Sequence, residues 1–93
     1  MEFIWDDPSD PEGNVAHILS DHPDMKPEFI EELFTTWSGD ENVFESTRNG
    51  IHFLVLEKTH QQKLYRIVFE KLGQQVKVKT AFRISKRKGG MQP

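Results

Sequence analysis

Arg66 and Glu70 stand four residues apart in the run Leu64-Tyr65-Arg66-Ile67-Val68-Phe69-Glu70-Lys71, and an extended strand would carry both side chains on one face. Metal-free cleavage of RNA needs a group to take the proton of a ribose 2′-OH, a donor for the leaving oxygen and cations to stabilise the charge on phosphorus. Glu70 with Arg66 and Arg83 can fill those roles. His52 and His60 add imidazoles, the side chain that exchanges protons near neutral pH; His60 falls in a connecting turn, which leaves His52 as the second candidate for proton transfer. The competing account of Glu70 is a cross-strand salt bridge to Lys77 or Lys79. No histidine pair has the HExxH spacing, and His17 and His22, five apart on one helix, point about 140° apart around its axis. With no cysteine in the chain, thiolate metal sites, disulfides and a cysteine nucleophile are excluded. No metal site and no cofactor are expected.

The cations that surround these groups are concentrated in one half of the chain. From Met1 to Glu45 one lysine, Lys26, faces thirteen acids, a net charge of −12; from Ser46 to Pro93 eleven bases face only Glu57 and Glu70, a net charge of +9. The overall −3 therefore conceals two opposite fields, and the basic half suits a polyanion. In the last strand Val76, Val78, Thr80, Phe82 and Ile84 alternate with Lys77, Lys79, Ala81, Arg83 and Ser85. One face of this strand would then be apolar and the other basic. If Arg66 projects on that basic side, the open face of the sheet carries a cationic patch of Arg66, Lys77, Lys79 and Arg83, with Lys86 and Arg87 beyond the strand as further RNA contacts. The alternative is a solvated face whose charges offset the acidic helices.

The elements that must position these residues can be read from period and punctuation. Ninety-three residues make one compact domain, here residues 1–86, followed by a loose basic tail at 87–93, and leave no room for a two-domain enzyme. Phe3-Ile4-Trp5 is a short strand stopped by Asp6-Asp7-Pro8. Asp10-Pro11 reads as a helix start, and Val15, Ile18, Leu19 and His22 form its apolar face before Pro23. A second helix starts at Pro27 with the stripe Phe29, Ile30, Leu33, Phe34 and Trp37. Strands follow at Val43–Arg48 and Ile51–Glu57 around Asn49-Gly50, the strongest short hairpin signal, then at Leu64–Lys71 and Val76–Ser85. The fold class is α+β, in the order β-α-α-β-β-β-β, with two N-terminal helices packed on one face of an antiparallel sheet. The longest apolar run is Phe53-Leu54-Val55-Leu56, and Met1–Asp6 has no signal-peptide pattern. The expectation is a soluble, cytoplasmic protein without a membrane partner.

The element order and several local motifs resemble the BrnT-like toxins of bacterial type II toxin–antitoxin pairs. The similarity runs through Phe3-Ile4-Trp5-Asp6, Asn14-Val15-Ala16-His17-Ile18 and His22, Leu64–Phe69 and Val76–Arg83, with Trp5-Asp6 and Thr80-Ala81 its most specific parts. It implies a RelE-like fold, a metal-independent endoribonuclease acting on messenger RNA, and a cognate BrnA-like antitoxin. Phe82 stands where such toxins have an arginine, and the segment that continues as a helix in them reads Ser85-Lys86-Arg87-Lys88 here and is broken by Gly89-Gly90.

Three functions are compatible with these readings. The first is a ribonuclease toxin, with Arg66, Lys79 and Arg83 on the scissile phosphate and Glu70 or His52 moving the proton. The second is a relative without catalysis, binding RNA or an acidic protein segment through the basic face. The third is an oligomerising domain, a homodimer for instance, because Phe29, Phe34, Trp37 and Phe53 exceed what so short a chain needs for a core.

Overall fold

The computed structural model describes residues 2–36, 39 and 41–84. Among them the order is β1 (Glu2–Ile4), α1 (Asn14–Asp21), α2 (Pro27–Thr35), β2 (Asn42–Arg48), β3 (Ile51–His60), β4 (Lys63–Leu72) and β5 (Gln75–Ile84). The strands form one sheet in the order β1-β5-β4-β3-β2. The expected α+β class and element order hold. The sheet is mixed, however, which corrects the expectation of an antiparallel one: β2 to β5 form an antiparallel meander, whereas β1 lies parallel to β5, Phe3 beside Val76. The expected Trp37 of the second helix and the tail at 87–93 lie outside the described residues.

α2 covers one face of the sheet, here called the helix face, while α1 lies along β5 with Ile18 turned into that core and His17 and His22 turned toward the opposite face. Ile18 and Met25 from α1 and its following turn, and Ile30, Leu33 and Phe34 from α2, close on Leu56, Tyr65, Ile67, Phe69, Val76, Val78 and Ala81. Burying such side chains stabilises the fold by roughly 1.5–3 kcal/mol each. Phe34 meets the edges of Phe3 and Phe69 at 5.2 and 5.0 Å between ring centres, and Phe29 meets Tyr65 at 5.3 Å. Phe34 and Phe29 are thus accounted for by the core rather than by an interface.

The C-terminus of α2 is closed from the sheet. Lys58 on β3 is 2 % exposed, and its ammonium donates to the carbonyl of Leu33 at 2.8 Å and to the carbonyl of Thr36. Glu41 lies 3.4 Å from the same ammonium. A buried cation at the negative end of a helix answers carbonyls that have no partner within the helix.

The N-terminus of α1 is built differently from the expected Asp10-Pro11 start. Asp10 caps a tight turn instead, its side chain accepting the Glu12 N–H at 3.0 Å while its carbonyl accepts that of Gly13. The helix begins at Asn14 because Asp6, arriving from β1, places its carboxylate 2.9 Å from the Asn14 N–H. A Cβ on Gly13 would come within 2.6 Å of the Asp6 Cβ, so only glycine admits this approach. Asn14 returns the contact through its side-chain oxygen, which accepts the Asp6 N–H at 2.9 Å. Its side-chain amide donates to the carbonyls of Ile4 and Val78, each at 3.0 Å. That interlock holds the end of β1 beside Val78, so the strand leading into it must run in the direction of β5.

Three two-residue turns join the meander. Asn49-Gly50 has positive φ at both positions, 55° and 77°, as a type I′ turn requires. Gln61-Gln62 adopts the same signs at 54° and 69° without the residues that favour them. Replacing the pair by the sequence of the first turn, Gln61→Asn with Gln62→Gly, should raise stability by about 1–2 kcal/mol in denaturant unfolding. Asn14→Asp preserves the shape but turns a double donor into an acceptor facing two carbonyls. A loss of about 2–4 kcal/mol is expected, and unchanged unfolding would show that the interlock does not hold the fold.

Candidate functional site

A β-bulge in β5 decides what the open face of the sheet presents. Phe69 pairs with Val78 but Val68 pairs with Thr80, leaving Lys79 as the extra residue. Beyond it the alternation is inverted. Ala81 and Arg83 fall on the helix face opposite Ile67 and Tyr65, while Thr80, Phe82 and Ile84 move to the open face opposite Val68, Arg66 and Leu64. The expected patch of Arg66, Lys77, Lys79 and Arg83 is therefore corrected: Arg83 is exposed on the other side of the sheet. A one-residue slip exchanges the faces of everything that follows it.

His52 is also separated from Arg66. It pairs with Thr47 near the tip of the β2–β3 hairpin, on the helix-face side, and its Nδ1 lies 3.3 Å from the Thr47 hydroxyl. Glu70 does lie on the open face, opposite Lys77, and forms an ion pair of 3.6 Å with Lys79. The salt-bridge account of Glu70 is thus the one the geometry displays. Lys86 and Arg87 lie outside the described residues.

What the open face assembles is a trough with a cavity of about 670 Å³. Its floor is Arg66, Val68, Lys77, Lys79, Thr80 and Phe82 from β4 and β5, with Phe53 and Val55 from β3. One wall is the edge strand β2, through Phe44, Ser46 and Arg48; the other is the loop into α1 and its first turn, with Asp6, Glu12 and His17. The Asp6–Asn14 interlock positions the second wall, and the hairpin register positions the first: pairing Arg48 with Ile51 aims Arg48, Ser46 and Phe44 to the same side as Phe53 and Val55.

Cations and rings are interleaved in the trough. The Arg66 guanidinium lies 5.9 Å from the centre of the Phe82 ring, whose other neighbour is the His22 imidazole, stacked at 5.5 Å. Arg66 is tethered by Glu57, its Nε donating at 2.7 Å. Both acids of the basic half, Glu57 and Glu70, therefore engage open-face cations. Among the described residues neither Lys77 nor Arg48 has a carboxylate partner. Away from the trough, Asp7 is held below the ordinary carboxylate range by the N–H of Ser9 and then by its hydroxyl.

Four of these residues escape a reading by charge and motif. Phe82 reaches the trough only through the bulge. Arg48 and Phe44 had a usable signal in the Asn49-Gly50 hairpin, whose two-residue loop sets their register. His17, considered as a metal ligand, is an exposed wall residue on the side of α1 away from Val15 and Ile18. No family model, curated protein or solved structure matches the chain.

Glu57→Gln should change stability by no more than about 1 kcal/mol, because the Arg66–Glu57 pair is partly solvated. The same substitution releases Arg66 and should tighten binding of a polyanion such as heparin. Equal heparin retention by variant and wild type would show that the trough does not set the electrostatics of this face.

Proposed function

We propose that the trough is a binding site for single-stranded RNA, and that the chain acts as a BrnT-like, metal-independent ribonuclease toxin. The observation that carries the reading is the interleaving, on one concave face, of Arg48, Arg66, Lys77 and Lys79 with the rings of Phe44, Phe53 and Phe82. Single strands are held by this pairing of chemistries: cations follow the phosphates, and bases stack on aromatic rings for about 1–3 kcal/mol each. A double helix hides its base faces and has no use for the rings.

In this reading the strand runs along the trough with phosphates against Lys77 and Arg66. His17 takes the role first assigned to His52, because it is the imidazole on the trough wall: it accepts the proton of the 2′-OH as that oxygen bonds to phosphorus, and the 5′-oxygen leaves with a proton from water. Lys77, Lys79 and Arg66 stabilise the charge that develops on phosphorus. The toxin role, the RelE-like fold and a BrnA-like antitoxin come from the resemblance. Two of its motif positions, Asp6 and Asn14, are the interlocked pair that sets the trough wall. A second reading, RNA binding without cleavage, is favoured by the engagement of Glu57 and Glu70 in ion pairs and by Phe82 in place of an arginine.

Binding of a fluorescent single-stranded RNA, titrated against salt, tests the site. Four phosphate contacts on a single strand give a slope of log affinity against log salt of about −3. Lys77→Ala or Arg66→Ala should reduce that slope by about 0.7 each. Arg83→Ala, on the other face, should leave it unchanged. Absence of binding at low salt, or equal losses in all three variants, would overturn the assignment. Incubation of a long messenger RNA in excess EDTA separates the two readings: cleavage lost in His17→Ala supports the ribonuclease, and binding without products supports the binding module.

A further inference from the structure

We propose that the outer edge of β2 pairs with the same edge of a second copy of this chain, antiparallel and centred on Ser46, to make one continuous sheet through two protomers. β2 is the last strand of the sheet, and among the described residues no strand lies on its outer side. All seven of its residues are exposed. Edges of this length are ordinarily blunted by proline, lysine or a bulge. Asn42–Arg48 contains neither residue, and its ladder with β3 runs without a register shift. Val43 and Phe44 are 48 % and 39 % exposed, and Ile51, opposite Arg48 at the turn end of the hairpin, 51 %.

The hairpin determines which backbone groups face outward. A two-residue type I′ loop is closed by a hydrogen-bonded pair, here Arg48 with Ile51, so by alternation Ser46 and Phe44 also bond inward to β3. Val43, Glu45 and Thr47 are left with N–H and C=O groups aimed at solvent.

The sequence of the strand then selects the partner and the register. A twofold axis normal to the sheet keeps each copy's open face on the same side, so a residue pairs only with residues of its own face. Centred on Glu45, the strands would set Glu45 against itself, and directly opposed like charges destabilise a ladder. Centred on Ser46, Glu45 lies opposite Thr47, an acceptor against a donor, and Phe44 lies opposite Arg48, a ring against a guanidinium. Both contacts occur twice, once on each side of the axis. This complementarity of the strand to its own reversed copy is what commits the edge to a second molecule of the same chain. Phe44, Ser46 and Arg48 also form the trough wall, so the two troughs would lie side by side; that consequence rests on the RNA reading, whereas the pairing does not.

The chain has no cysteine, so Ser46→Cys gives each copy a single thiol. In the proposed register Ser46 meets itself as a non-hydrogen-bonded pair, about 4.5 Å between Cα atoms and within disulfide range. Mild oxidation should convert Ser46→Cys to a covalent dimer much faster than Glu45→Cys or Thr47→Cys, whose thiols do not meet their own copies. In sedimentation without oxidant, Thr47→Lys should tighten the dimer and Thr47→Glu loosen it, each by about fivefold or more, since both act on Glu45 of the other copy. Wild-type protein that stays monomeric at every concentration, with Ser46→Cys oxidising no faster than the controls, would overturn the proposal. So would fastest cross-linking at Glu45→Cys, or a dimer indifferent to the charge at residue 47. A monomer whose Glu45 amide is protected only on adding an unrelated β-forming peptide would assign the edge to a foreign strand instead. None of these readouts uses RNA, so failure here and failure of the RNA assignment are separate results.

Discussion

Two backbone carbonyls, those of Ile4 and Val78, lie together where the short parallel ladder of β1 and β5 ends, and a single carboxamide answers both. Asn14 donates one side-chain hydrogen to each, accepts the Asp6 N–H and gives its own N–H to the Asp6 carboxylate. Every polar group of this residue is used, and it is almost wholly buried. The consequence is geometric. The interlock fixes where α1 starts, which way β1 runs and how the helix approaches the edge of β5 just before the bulge. A buried carbonyl without a donor is costly, so these choices cannot be relaxed one at a time.

The same logic closes the other helix. α2 ends against Lys58, a buried ammonium that the sheet delivers to its last carbonyls. Its charge belongs to the basic half of the chain and the helix to the acidic half, so the two opposite fields of the sequence are joined through the core at this point. The other described carboxylates of the acidic half lie in the helices and loops, apart from Glu2 and Glu45 on the two edge strands. The sheet's outer face is left to Arg48, Arg66, Lys77 and Lys79, with Glu57 and Glu70 as local tethers. Such a partition places a basic face on one side of a molecule whose net charge is negative.

The bulge at Lys79 connects fold to site. It brings Phe82 up beneath Arg66 and sends Arg83 down beside Tyr65, trading a third guanidinium on the open face for an aromatic ring. The stack of His22, Phe82 and Arg66 orients the guanidinium over the trough floor, where Glu57 fixes its other side. Charge and aromatic surface are thereby interleaved, which is the arrangement a flexible single strand can use.

Local chemistry determined much of this by itself. Asn49-Gly50 specifies a type I′ turn because both residues tolerate positive φ, and with it the register of β2 and β3. The spacing of Val15, Ile18 and Leu19 and of Ile30, Leu33 and Phe34 specifies two helices with one buried side each. The separation of charge between the halves is visible in the order of residues alone, though the net charge conceals it. Tertiary structure decided the rest. Asp10-Pro11 has every local mark of a helix start, yet the helix waits for Asn14 because Asp6, eight residues away, supplies the cap. The parallel placement of β1 depends on a partner more than seventy residues distant. The faces of Arg83 and Phe82 turn on one unpaired residue, which a period-2 pattern cannot reveal: whether a strand bulges is settled by the strand beside it and not by its own sequence.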